Sequence, residues 1–234
     1  MSQDDFDIDS LATYLHLTPP QVGKLADRGK LPGRKVGGQW RFSQAEVHHW
    51  LEQRIGLSDG GELIQVEGVL RRAAGHGPTE DVSLAALLPV EGIAVPLAAR
   101  TRNSVITGMV ELAADTGLLW DPKAMADAVR AREDMHPTAL EIGVALMHPR
   151  RPMAKILAQP LLALGRTASS IPFGAGAPMT DIFFLICSTE DRGHLRILAR
   201  LSRLLTVPGF LAALREAPDA KTAHRLIAET EITL

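Results

Sequence analysis

Residues 132–150 read REDMHPTALEIGVALMHPR. Their second half, residues 142–147, is a short apolar run with the pattern of a strand. His148 stands at the carboxyl end of that strand. Pro149 follows, and a Pro ends a strand because it lacks an N–H and fixes its own φ. Sites in α/β sheets collect at the carboxyl ends of strands. Arg150 and Arg151 place positive charge directly beyond the ring. An imidazole with an ordinary pKa near about 6.5 is largely neutral at pH ~7, and a neutral ring is able to attack phosphorus.

The same alternation of apolar strands and helices extends on both sides. Upstream, residues 93–97 read as a strand and 103–116 as a helix stopped by Gly117. Asp121-Pro122 supplies the N-cap and first-turn Pro of a helix to about residue 133. Downstream, residues 161–164 read as a strand ending at Gly165. Residues 181–187 read as a strand, apolar throughout after Asp181, as expected when both faces are covered. Residues 192–205 form a helix with Leu195, Leu198, Leu201, Leu204 and Leu205 on one side. Two helices follow, at 208–215 and 220–229, the second capped by Asp219. This order indicates an α/β sandwich around a mixed sheet.

A different pattern precedes it. Residues 8–16 read as a helix, Thr18-Pro19-Pro20 as the cap and first turn of a second helix to Arg28, and Gly29 as its stop. Gly37-Gly38 between Val36 and Trp40 reads as a hairpin turn. Ser43 caps a last helix over residues 44–53. Trp40, Trp50, Phe42 and Leu51 are the expected core of this small unit. Between Lys24 and Arg41 lie six basic residues, Lys24, Arg28, Lys30, Arg34, Lys35 and Arg41, against one acid, Asp27. That is the footprint of phosphate contacts along one face. Between the two patterns, Gly-rich ends flank one amphipathic stretch, residues 62–74. The expected organisation is a small unit at 1–56, a connector with a helix at 57–80, and the α/β unit at 81–234.

Composition narrows the classes. The chain has 234 residues, 46% of them apolar, and a net charge of −2. Nucleic-acid binding must therefore rest on a local cluster, not on global charge. The single Cys187 lies inside an apolar strand and reads as a packed residue; it has no partner for a disulfide or a CxxC site. No apolar run has the length of a membrane span, and the acidic first nine residues lack a signal-peptide core. These features imply a cytoplasmic protein with no membrane insertion. Of the eight His, the neighbours His48 and His49 point apart on their helix and suit no chelate. His16, His76, His136 and His224 take surface or packing roles. No metal site and no cofactor are expected, and a zinc hydrolase is a poor fit without an HExxH motif.

Two resemblances sharpen the reading. LATYLHLTPPQVGKLADRGKLPGRKV (residues 11–36) followed by GGQWRFSQAEVHHWL (37–51) resembles the excisionase and MerR-like winged helix-turn-helix family. The resemblance implies a second helix in the major groove of DNA and a hairpin wing on the backbone. A homodimer fits the two half-sites that such readers often use. Residues 132–150, together with DRGHLRILARLSRLL (191–205), resemble the mannitol/fructose and nitrogen-regulatory enzyme IIA family of the sugar phosphotransferase system. Gly92-Ile93-Ala94, residues 171–175 and the strand at 181–187 add to the match. The resemblance implies that His148 is the phosphorylated nucleophile and that His194 orients it or bonds the phosphoryl group. It assigns Arg132 to holding the loop or neutralising charge, and Thr138 to supplying a hydroxyl. It names an HPr-type phosphocarrier protein as donor. A protein donor must reach the ring, and Met147 and Met153 are the candidates for the apolar rim that receives it. The chain departs from the family in having Met147 where a Pro usually precedes the His, and Glu141 where a Gly is usual.

The expected function is a regulator that takes a phosphoryl group on His148 and couples this state to DNA binding. Three alternatives stay open: a sugar-uptake component passing phosphate to a IIB partner, a non-phosphorylated sensor, and a protein-interaction adaptor.

Overall fold

A computed structural model describes residues 5–15, 17–44, 46–47, 50–51, 82–173 and 179–234. The chain divides into two compact units, Met1–Asp81 and Val82–Leu234. The expected connector helix at 62–74, His16, His48, His49, His76 and residues 174–175 lie outside the described residues.

The first unit follows its local sequence signals. Helices Ile8–Leu15 and Pro19–Asp27 are joined by the turn at Thr18. The Thr18 N–H donates to Gln21 Oε1 at 2.8 Å, which occupies a backbone donor left over at the helix start. Strands β1 (Asp5–Phe6), β2 (Arg34–Val36) and β3 (Gln39–Ser43) form an antiparallel sheet in the order β1-β3-β2. The two-residue loop between Val36 and Gln39 has φ of +59° at Gly37 and +81° at Gly38. Positive φ at both central residues is what a type I′ hairpin demands, and two glycines meet it without strain. Gln44, Glu46, Val47, Trp50 and Leu51 are helical, as expected after Ser43. Leu11, Val22, Phe42 and Val47 fill the core.

The second unit is built on a four-stranded mixed sheet. Its strands are β4 (Ile93–Ala94), β5 (Val144–Met147), β6 (Leu161–Pro172) and β7 (Met179–Cys187), in the order β4-β6-β7-β5. β6 and β7 are antiparallel, and each outer strand runs parallel to its neighbour. Side chains alternate between faces along each strand. Ala145, Met147, Ala163, Phe183, Leu185 and Cys187 share a core with helices Arg102–Asp115 and Pro122–Met135. Val144, Leu146, Leu162, Leu164, Ile182, Phe184 and Ile186 are buried on the other face. Helix Asp191–Leu205 packs on β7. Coverage on both faces explains why β5, and β7 from Ile182 onward, are apolar at every position. Helices Phe210–Glu216 and Ala220–Glu231 complete the unit, the latter capped by Asp219, which accepts from the Thr222 N–H at 2.7 Å.

Two expectations need correction. β6 does not end at Gly165 but runs through it. A Cβ there would stand 2.5 Å from Met109 Sδ and 2.8 Å from Leu97 Cδ2, so the glycine makes room for the helix packed above the strand rather than for a turn. The strand expected at 93–97 pairs only over Ile93–Ala94. The short helix Leu84–Leu87, not expected, is held by a distant residue. Glu231 accepts from the N–H groups of Leu84 (2.6 Å) and Ala85 (3.1 Å) and from Arg200 Nε (2.9 Å). No single helix among the described residues is long and apolar enough to cross a membrane.

Candidate functional site

The strand parity that builds the core also assembles the site. His148 continues the series Val144, Leu146 and so lies on the face that carries helix Asp191–Leu205. Ser188 continues Ile182, Phe184, Ile186 on the adjacent parallel strand, whose register pairs Met147 with Leu185. His194 sits in the first turn of the helix that leaves Ser188. The rings of His148 and His194 stand 4.8 Å apart between centroids, inclined at 59°. The two histidines, 46 residues apart in sequence, are thus neighbours because two parallel strands end together.

Hydrogen bonds fix the first ring. His148 Nδ1 is 2.8 Å from the Leu146 carbonyl oxygen. A carbonyl only accepts, so Nδ1 carries the hydrogen, and in the neutral ring the lone pair is on Nε2. His194 Nδ1 is 3.0 Å from the Ser188 hydroxyl. The Ser188 carbonyl accepts from the Met153 N–H at 3.0 Å, so the loop after His148 and the start of the His194 helix share one support.

Behind β5 lies a buried polar strut. Helix Pro122–Met135 delivers Arg132 and Glu133, both buried. Arg132 Nη1 donates to the His136 carbonyl, closing the helix end. Glu133 accepts from the Thr138 N–H at 3.1 Å and from the Thr138 hydroxyl. Thr138 O accepts from Leu146 N–H at 3.3 Å, and Leu140 N–H donates to Val144 O at 2.7 Å, so residues 138–140 cover the outer edge of β5. The chain of bonds runs Glu133, Thr138, Leu146, His148. Burial pushes the Glu133 carboxyl above its ordinary range, against the lowering pull of the Thr138 hydrogen bonds and of the charges at His148 and Arg132. Glu133 was not singled out from the sequence; Thr138, five residues on and just before the apolar run, is the only local signal for it. Ser188 was missed; its parity with Ile182–Ile186 at the end of β7 is the signal for it.

Several sequence expectations meet different geometry. The Thr138 hydroxyl is given to Glu133. Met147 is fully buried in the core on the opposite face from His148, so it forms no rim; Met153 is half-buried against the same core. Glu141 is exposed at the turn before β5, and the four residues of that strand put a rise of about 13 Å between the turn and His148. Its carboxylate is therefore remote from the ring. His148 and His194 are each only 2% exposed. Both rings are thus shielded from solvent. Cys187, buried, is pushed up to about 12 by desolvation alone and is no nucleophile at neutral pH. His224 Nε2 lies 3.1 Å from the Ala85 carbonyl, a packing contact. No cluster of potential metal ligands occurs among the described residues.

In the first unit, Lys24, Arg28, Lys30, Arg34 and Lys35 are exposed, and Arg41 is half-buried. Arg34 pairs with Asp5 at 3.2 Å and Lys35 with Asp27 at 3.6 Å. The Lys35 ammonium also stands over the Trp40 ring at 5.0 Å, and Trp40 stacks on Phe42. Of the four residues expected in the core, Phe42 and Leu51 are buried, whereas Trp40 and Trp50 are only partly buried. Exposed pairs of this kind contribute little to stability, roughly 0–1 kcal/mol, so these cations exchange partners readily.

Residues 86–230 match the family described as phosphoenolpyruvate-dependent sugar phosphotransferase system, EIIA 2. Residues 6–55 match the helix-turn-helix domain family. The chain is 28% identical over 149 residues to a PTS system fructose-specific EIIA component of Haloferax volcanii, covering 62% of this chain and 95% of that one. It is 30% identical over 151 residues to a nitrogen regulatory protein of Bradyrhizobium diazoefficiens, covering 60% and 95%. Among solved structures, the nitrogen regulatory protein IIA-Ntr of Neisseria meningitidis aligns with a TM-score of 0.51 at 19% identity, over 61% of this chain and 97% of that one. IIA mannitol of Escherichia coli aligns with a TM-score of 0.54 at 18% identity, over 60% and 98%. At these identities the structures establish the fold.

Proposed function

Because the chain belongs to the phosphoenolpyruvate-dependent sugar phosphotransferase system EIIA 2 family and carries a helix-turn-helix domain ahead of that region, we propose that it is a regulator that accepts a phosphoryl group on Nε2 of His148 and couples that state to DNA binding. The carrying observation is the pair of imidazoles 4.8 Å apart, with Nδ1 of the first held by a backbone carbonyl. In-line transfer to such a ring needs positioning and donors around the phosphoryl oxygens, and little covalent help. The bond from phosphorus to the donor breaks, its electron pair stays with the donor, and a bond from phosphorus to Nε2 forms. His194 bonds the phosphoryl oxygens, while Arg132 and Thr138 hold the loop that edges β5. The donor is an HPr-type phosphocarrier protein, and its docking opens the shell over the two rings. Lys24, Arg28, Lys30, Arg34, Lys35 and Arg41 engage the DNA backbone, with a homodimer reading two half-sites in the cytoplasm.

Phosphorylation adds roughly −1.5 to −2 charge, taking serine-type phosphate as the guide. A gel-shift titration of unmodified and phosphorylated protein on genomic fragments tests the coupling. Different affinities support it; equal affinities remove it. The burial of His148 favours one second reading, a sensor that is never phosphorylated; a fully active donor chain that leaves the protein unlabelled would establish that one. Passage of label from this chain to a IIB protein would instead place it in sugar uptake.

A further inference from the structure

Ser188 is bonded both to His194 and to the loop that follows His148. It follows β7, is 1% exposed, and its carbonyl accepts from Met153 in the loop behind His148. Its hydroxyl lies 3.0 Å from His194 Nδ1. The two rings are not held alike. The Leu146 carbonyl can only accept, so it commits His148 to a hydrogen on Nδ1. A hydroxyl both donates and accepts, so the chemistry of the neighbouring ring decides which way the Ser188 bond runs.

We propose that Ser188 is a positioning residue that donates its O–H to His194 Nδ1, which places the single hydrogen of that ring on Nε2 and makes His194 an N–H donor to the phosphoryl group on His148. This rests on the function proposed above and assigns the protonation of its second histidine. The reason is electrostatic. With a hydrogen on Nδ1, His194 would turn a lone pair toward phosphoryl oxygens that already carry negative charge. With a hydrogen on Nε2, it offers a charge-assisted hydrogen bond, of about twice the strength of a neutral one. The pair then divides its work: one ring bonded to a carbonyl presents a lone pair, and the other, bonded to a hydroxyl, presents a hydrogen. No proton moves between the rings during transfer, so both tautomers persist from the free to the phosphorylated state. Parity and register place Ser188 where it serves this role, since only a residue on the face of Ile182, Phe184 and Ile186 at the end of β7 stands between the two histidine segments.

The test is long-range ¹H–¹⁵N correlation of the histidine side chains in the full chain. Wild type should show His194 with a hydrogen on Nε2 and a bare Nδ1, and His148 with the reverse. Ser188→Ala should mix the His194 tautomers, leave those of His148 unchanged, and slow labelling of His148 by a phosphorylated carrier about tenfold, the rate equivalent of one lost hydrogen bond. Ser188→Thr, which keeps the hydroxyl, should restore the tautomer. A wild-type His194 with its hydrogen on Nδ1 overturns the assignment without recourse to any variant, as does a Ser188→Ala protein whose His194 tautomer and labelling rate match wild type. Absence of label on wild-type His148, with the tautomers as stated, overturns the functional reading and leaves the Ser188 assignment standing.

Discussion

Replacing Glu133 by Ala removes the acceptor of two buried donors at once, the Thr138 N–H at 3.1 Å and the Thr138 hydroxyl. Each donor left without an acceptor in a buried setting costs about 1–3 kcal/mol. The lost carboxyl had its own desolvation cost, visible in the upward push on its pKa, and that relief offsets part of the total. The net expectation is a loss of about 2–3 kcal/mol, or a fall of about 4–12 °C in the melting transition of the Val82–Leu234 unit. Glu133→Gln keeps an acceptor for the N–H and offers an amide hydrogen to the hydroxyl, so it should recover most of this. The pH dependence has a definite sign. A carboxyl whose folded pKa is raised favours the fold most when protonated. That contribution is whole below the ordinary carboxylate range and is lost as pH climbs through the raised folded value. Wild type should therefore lose ground to Glu133→Gln as pH rises from the acid side. Calorimetry of the three proteins across pH is the assay. A Glu133→Ala protein that melts within a degree of wild type would refute the strut, and a wild type that gains on the Gln variant with rising pH would refute the sign.

Glu231→Ala should destabilise the second unit by about 3–5 kcal/mol, because it strips the Arg200 guanidinium and the Leu84 and Ala85 N–H groups of a buried carboxylate; urea unfolding measures it. Gly165→Val should cost about 1–3 kcal/mol by driving a side chain into Met109 and Leu97, seen as a lower denaturation midpoint at unchanged slope. Lys24→Ala should weaken DNA binding evenly across sequences and reduce the log–log salt slope by about 0.9; a slope equal to wild type removes Lys24 from the backbone contacts.

Much of the fold was legible because its signals are local. Asp121-Pro122 and Asp219 announce helix starts, Gly117 a stop, and Gly37-Gly38 a hairpin, each through the backbone geometry the residue permits. The continuous apolarity of residues 182–187 announced a strand covered on both sides. Gly165 misled for a reason no local reading contains: its missing side chain serves a helix more than fifty residues earlier in the chain. The Leu84–Leu87 helix has a local cap in Ser83, but the acceptor of its first N–H groups was hidden, since Glu231 lies at the far end of the sequence. At the site, His148, His194, Arg132 and Thr138 were nameable from spacing and resemblance. The tasks of Glu133 and Ser188 depend on which residues the strand register brings side by side. The burial of both rings was not legible at all, because exposure is set by packing from every side.

Everything proposed for the second unit depends on His148 taking the phosphoryl group. The direct measurement is to incubate the full chain with phosphoenolpyruvate, enzyme I and an HPr-type donor, and to locate the acid-labile label by peptide mapping. Label is expected on His148 alone, absent in His148→Ala and slowed but still on His148 in His194→Ala. Label on another residue, label retained by His148→Ala, or none in a reaction that phosphorylates a control IIA protein would contradict it.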